Sequence, residues 1–211
     1  MCNSYSWKDD KMTEKPKRDL EGTRNSLLNA ARELLTSGID AEKVTSRTLA
    51  GRAGVNAAMI NYCYGSREAL LYEVYKTLLA EAQGADRTLV QNINNPGITP
   101  KEKLFMIHYS LMKLMIANFT LSRTVTQYIL LNRSDEAGME SLPFIIQHFR
   151  GSKTEKECAL IAFELTSLHE IAVLQHSMLK DRLGTDLTDD AVLKKYVRNN
   201  IDRFLGLEQE V

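Results

Sequence analysis

A chain of 211 residues with 44% apolar and 26% charged residues can bury a substantial core, which excludes disorder as its default state. Lys and Arg number 27 and Asp and Glu number 27, which excludes a polycation and requires any nucleic-acid contact to come from a local basic face. Cys2, Cys63 and Cys158 are odd in number and widely spaced, with no C-x-x-C, which argues against a disulfide framework or a zinc site and fits a reducing cytoplasm.

Residues 1–18 are polar and mixed in charge, without the apolar middle of a signal peptide, and read as an N-terminal arm. Lys15, Lys17 and Arg18 in it either brush phosphates or are simply solvated. Over residues 19–37, Leu20, Leu27, Ala31, Leu34 and Leu35 recur at helical spacing, and Gly38 is a natural stop. Thr45 or Ser46 caps a short helix with Leu49, Ala50 and Ala53 inward. Ala53-Gly54-Val55 is a tight turn, its glycine free to take positive φ, and Asn56 caps a second short helix with Ile60 and Tyr64 inward. Gly65-Ser66 breaks that helix and opens another, from Ser66 to about Gln83.

A short segment runs from Asp86 to Asn94 and ends at Asn95-Pro96-Gly97. Thr99-Pro100-Lys101-Glu102 combines a capping box with proline at the first helical position, and Asn118 interrupts the helix that follows. Phe119 to Leu131 continues it, Asn132 to Gly138 is a polar link, and Met139 to Phe149 is short and contains Pro143. Ser152-Lys153-Thr154-Glu155 reads as a further capping box opening one long helix to Leu183. Asp189 and Asp190 start the last helix, whose buried side carries Val192, Leu193, Tyr196, Val197, Ile201, Phe204 and Leu205. The reading is all-α, with no apolar run near the roughly 18 residues of a membrane span.

One stretch carries chemistry. Residues 43–67 hold Lys43, Arg47, Arg52 and Arg67 and no acid, as a phosphate-facing surface requires. Arg67 sits in the first turn of a helix, where a cation opposes the dipole unless a phosphate or a carboxylate is near. The pattern T-S-R-T-L-A-G-R-A-G-V-N-A-A-M-I-N-Y-C-Y-G-S-R-E-A-L from Thr45 to Leu70 resembles the TetR/AcrR family of transcription regulators. Thr45, Ala50, Ala53, Gly54, Val55, Ser66 and Leu70 match that family's signature, and Leu49, Asn56, Tyr64 and Arg67 are close substitutions. It departs at Asn61, often Tyr in the family, and at Cys63, often His, which bears on the bases read and on one phosphate contact.

The resemblance implies an N-terminal three-helix helix-turn-helix domain over residues 19–84, including a bridging fourth helix, and a C-terminal helical bundle over 85–211 for ligand binding and dimerisation through its last two long helices. It implies a homodimer on a palindromic operator in double-stranded DNA, released by a small-molecule effector that favours wrongly spaced recognition helices. His169 and His176 share a helical face, but no carboxylate or cysteine completes a metal set, and no cofactor is expected. Half-sites on one face of B-DNA lie about 34–36 Å apart or a multiple of that. By resemblance, Thr45, Ser46, Arg47, Tyr62 and Arg67 would position the protein on phosphates, and Ala57, Ala58 and Asn61 would face base edges.

Candidate effector-pocket residues are His108, Met112, Met115, Tyr128, His148 and His169, with Tyr109 and His176 beside them; each is otherwise ordinary core or surface. Cys63 is either a redox sensor or a small buried residue. Two other classes remain open. An enzyme on a helical scaffold lacks any nucleophile–base constellation, and a helical interaction module would not need the intact cap, turn and basic positions.

Overall fold

The computed structural model describes residues 19–132 and 139–206. The expected arm over 1–18 and the polar link beyond Asn132 fall outside the described residues. Among these there are eleven α-helices and no strand: α1 Leu20–Thr36, α2 Ser46–Ala53, α3 Ala58–Tyr64, α4 Arg67–Ala85, α5 Arg87–Asn94, α6 Pro100–Ala117, α7 Phe119–Leu131, α8 Leu142–Phe149, α9 Glu155–Leu174, α10 His176–Leu183 and α11 Asp190–Leu205. Single 3-10 turns lie at Ala41–Lys43 and Met139–Ser141. The all-α expectation is met.

The helix starts are set by side-chain caps. Thr45, Ser66, Thr99 and Asp189 each accept from a backbone N–H in the first turn of the helix that follows, and Pro100 takes the first position of α6. Each such cap contributes about 1 kcal/mol. Gly54 adopts φ 68° and its N–H returns to the end of α2, closing the turn that a side chain would strain.

Two hydrophobic clusters organise the packing. The first gathers Leu27, Val44, Leu49, Ile60, Leu70, Leu71 and Val74 from α1 to α4. Leu49 is wholly buried, so truncation to Ala there removes about 2–5 kcal/mol. The second gathers Tyr75 with Leu104, Met112, Val125, Leu165, Val173, Val197 and Ile201. Adjacent residues of α4 thus serve different cores, Val74 in one and Tyr75 in the other. Lys101, 2% exposed, ties the start of α6 to the end of α11: its Nζ lies 2.6 Å from Asp202 Oδ1 and donates to Gly206 O at 2.6 Å.

Three details differ from or sharpen the sequence reading. The capping box before α9 is Thr154 with Glu157, both halves formed, and not Ser152 with Glu155. The Ser152 hydroxyl is already engaged, donating back to Phe149 O at the end of α8. The expected helix from the box to Leu183 is two helices broken at Gln175, where His176 Nδ1 reaches Val173 O at 3.1 Å. At Asn118 the break bends α6 against α7 by 116°, and the Asn118 side-chain amide donates to Leu114 O. Among the described residues, no single helix is long and apolar enough to cross a membrane.

Candidate functional site

α2, the Gly54 turn and α3 form a helix-turn-helix at one end of the molecule. Ile60 and Cys63 point into the first core, so the opposite side of α3 faces outward. Ala57, Ala58, Asn61 and Tyr62 are all exposed, Tyr62 at 69%. The Asn56 carboxamide accepts from Ala58 N at 2.8 Å and fixes the start of the helix. Thr45 and Arg47 are exposed and Ser46 half-buried at the start of α2, where the first N–H groups of any helix have no intrahelical acceptor and favour an anion.

The basic residues of this end have different fates. Arg47 and Lys43 are exposed. Arg52 pairs with Glu33 of α1 at 2.7 Å. Arg67 is turned inward: its Nη1 donates to Val44 O at 2.9 Å and Ala41 O at 3.3 Å, and its Nε to Glu68 at 2.9 Å. Of the two sequence readings for Arg67, phosphate ligand or structural partner, the geometry serves the second. Cys63 is buried.

Arg24 of α1 was invisible to motif reasoning. Its guanidinium lies 4.4 Å from the Tyr64 ring centroid and donates to Cys63 O at the end of α3, while Tyr64 Oη donates to Arg24 O at 2.8 Å. A cation there complements the helix dipole and fixes the pitch of α3. The two partners are far apart in sequence, so no local spacing announces them.

A second feature lies in the larger core. A cavity of about 160 Å³ opens between α4, α6, α7 and α9 and the Met139–Ser141 turn. Of the predicted pocket residues, His108, Met112, Met115 and His169 line it. Tyr128 does not; it faces the cleft beside Arg67 and Gln127, and its ring lies 5.7 Å from that of Tyr72. His148 is elsewhere too, its Nε2 2.9 Å from Leu205 O at the end of α11. Tyr109 faces outward, donating to Asp190 beside Lys113, and His176 stacks edge-on with Phe119. Tyr72 and Tyr75 of α4, Ser141, and Thr166 and Glu170 of α9 also line it, with Leu79, Leu111 and the charged Lys76 and Glu140 among the rest of the wall; sequence reading had placed none of them here.

Three polar side chains of the wall form a relay. Ser141 Oγ lies 2.8 Å from His108 Nε2, and His108 Nδ1 lies 2.9 Å from His169 Nδ1. Both imidazoles are buried. Burial pushes the His108 pKa down to about 4, and burial together with the His108 ring holds His169 well below its ordinary value. The pair is uncharged at neutral pH.

No protein-family model matches the chain and no curated protein matches it. Solved structures do. A TetR variant with a single Gln-to-Ala substitution, from Acinetobacter baumannii AYE, in complex with minocycline, aligns with a TM-score of 0.56 at 16% identity, over 89% of this chain and 97% of that one. A TetR-like transcriptional regulator from Rhodococcus sp. RHA1 covers 86% of this chain and 94% of its own at 13% identity, with a TM-score of 0.44. The TetR family transcriptional regulator PfmR from Thermus thermophilus covers 88% and 96% at 19% identity, with a TM-score of 0.32. The last two scores carry no weight. On the first, the likeness is one of architecture: the chain has a TetR-like fold.

Proposed function

We propose that the chain is a ligand-responsive transcriptional regulator, a repressor, that binds a palindromic operator as a homodimer. The observation that carries this reading is the exposed face of α3. It presents Ala57, Ala58, Asn61 and Tyr62 outward on a short helix pinned by Arg24. Asn pairs bidentately with adenine, and an alanine methyl suits a thymine methyl. Thr45, Ser46 and Arg47 supply the phosphate contacts that set register. Arg67 leaves that set and holds the 3-10 turn before α2 instead.

Residues 19–84 make the DNA-binding unit and 85–211 the effector and dimer unit. The dimer surface is the outer face of α9. Leu160, Phe163 and Ile171 are 55%, 46% and 48% exposed at helical spacing, and Met178 and Leu183 of α10 are exposed beside them. Apolar exposure of this extent fits a self-complementary partner. The effector enters the α4/α6/α9 cavity. Minocycline is not carried over from the A. baumannii structure, because a cavity of about 160 Å³ suits a molecule of about benzene size.

A gel shift at fixed salt, using DNA flanking the chain's own coding region and a scrambled duplex, tests the DNA half. Retention of the first at concentrations that leave the scrambled duplex free supports it. Equal indifference to both sinks it and favours a helical interaction module.

A further inference from the structure

We propose that the α4/α6/α9 cavity binds a compact, single-ring molecule through an acceptor oxygen, typically a carbonyl, that takes the Nε2–H of His169. This deepens, and rests on, the reading of the C-terminal unit as an effector domain. His169 is 3% exposed and forms part of the cavity wall. Its Nδ1 is engaged by His108, yet its Nε2 has no partner. One turn earlier on α9, Thr166 lines the same cavity with an equally unmatched Oγ1. A buried polar group without a partner costs about 1–3 kcal/mol, and here two lie within one helical turn, with Tyr75 Oη a third in the same wall. Leu79, Leu111, Met112 and Met115 supply the apolar part of that wall, and Lys76, Glu140 and Glu170 its charged part.

The relay fixes which kind of group is offered. In one arrangement Ser141 donates to His108 Nε2, His108 Nδ1–H donates to His169 Nδ1, and the His169 proton sits on Nε2. In the reverse arrangement His169 donates, and His108 Nε2–H donates to Ser141. The first leaves one atom of the relay unmatched, the His169 N–H. The second leaves two, the bare His169 Nε2 and the Ser141 O–H. The first therefore prevails, and His169 presents a donor. One ligand oxygen with two lone pairs accepts from His169 and from the Thr166 hydroxyl together. Neither imidazole carries charge, so a neutral oxygen suffices. The volume is close to that of an apolar cavity known to hold benzene, which limits the remainder to about one ring.

The test compares acetophenone with α-methylstyrene, its isostere with C=CH₂ in place of C=O, by calorimetry on the full chain. Acetophenone is expected to bind at least about tenfold more tightly, because a site built to donate rejects the analogue that cannot accept. In His169→Phe the two are expected to bind equally, and Thr166→Val narrows the gap. Equal affinities in the unaltered protein, no binding of either, or a preference that survives His169→Phe would overturn the proposal. Should His169→Phe fail to fold, ¹⁵N NMR of the unaltered protein decides. A protonated Nε2 on His169 whose resonance moves with acetophenone supports the assignment; a bare or unmoved Nε2 overturns it. DNA retention is scored separately, so loss of operator binding leaves this result standing, and the reverse also holds.

Discussion

The guanidinium of Arg67 donates to the carbonyl of Val44 at 2.9 Å, joining the first turn of α4 to the segment that leads into α2. Val44 is wholly buried and Thr45, next to it, caps α2. Arg67 therefore supports the helix-turn-helix from behind, through the segment that leads into α2. Arg67→Ala is expected to destabilise the chain by about 1–3 kcal/mol, since Val44 O and Ala41 O lose a charged donor. Lys is a poor substitute, because one ammonium cannot reproduce the planar fork. Urea unfolding measures the loss. The slope of log K against log salt for DNA binding should not change; a fall of about one unit would return Arg67 to the phosphate set.

Asn61→Ala is expected to cost about 1–3 kcal/mol at one operator position and to relax preference there. Arg47→Ala should weaken all duplexes alike and reduce the salt slope by about one. Binding-site selection combined with salt titration separates the two behaviours.

The two buried imidazoles make stability depend on acid. Free histidine titrates near 6.5, and His108 falls to about 4 in the fold, with His169 also lowered. Both folded values lie below the unfolded one, so the unfolded chain takes up protons first. Stability is intact above about pH 6.5 and, through His108, is lost as pH falls toward 4, at about 1.4 kcal/mol per pH unit, with His169 acting in the same direction. Chemical unfolding at pH 7.5 and 5.5, repeated with His108→Phe, should show the pH dependence shrink in the variant.

Lys101→Met is expected to destabilise the chain by about 3 kcal/mol, because Asp202 and Gly206 O lose their shared partner at a nearly buried site. Adding Asp202→Leu should recover part of that. Thermal unfolding of the single and double variants checks it, and equal stability of Lys101→Met and the parent would remove this tie from the account.

Ile171→Glu places a charge on the outer face of α9 without touching either core, since Ile171 is 48% exposed. Helical content should be unchanged, while sedimentation should report a shift from dimer to single chain. A dimer that survives both this change and Leu160→Glu would move the contact surface elsewhere.

Much of the fold was legible because it is written in local chemistry. Thr45, Gly54, Ser66, Thr99 and Pro100 announce helix ends by rules that act within four residues, and each does so in the structure. The break at Gln175 was not legible, because neither proline nor glycine marks it. The Thr154 box was misplaced by two residues because Ser152 obeys the same spacing rule until its hydroxyl turns back to Phe149. The cavity was only partly legible. His108 and His169 were found as polar groups on apolar helices, but nothing local separates Tyr72 and Tyr75 of α4 from ordinary helix packing. Tyr128 and His148 were placed on the wrong side because periodicity gives a stripe without saying which neighbour it meets.

The bend at Asn118 makes an elbow of α6 and α7. The upper arm, from Ile107 to Met115, is one side of the cavity. The forearm leans on the 3-10 turn below, where Arg123 comes within 3.3 Å of Glu42, two residues before Val44. One continuous stretch of chain therefore touches both the cavity and the 3-10 turn before α2. The cavity wall and that turn are thus separated by one bend and no loop, and the Asn118 amide, donating to Leu114 O, sits at the bend.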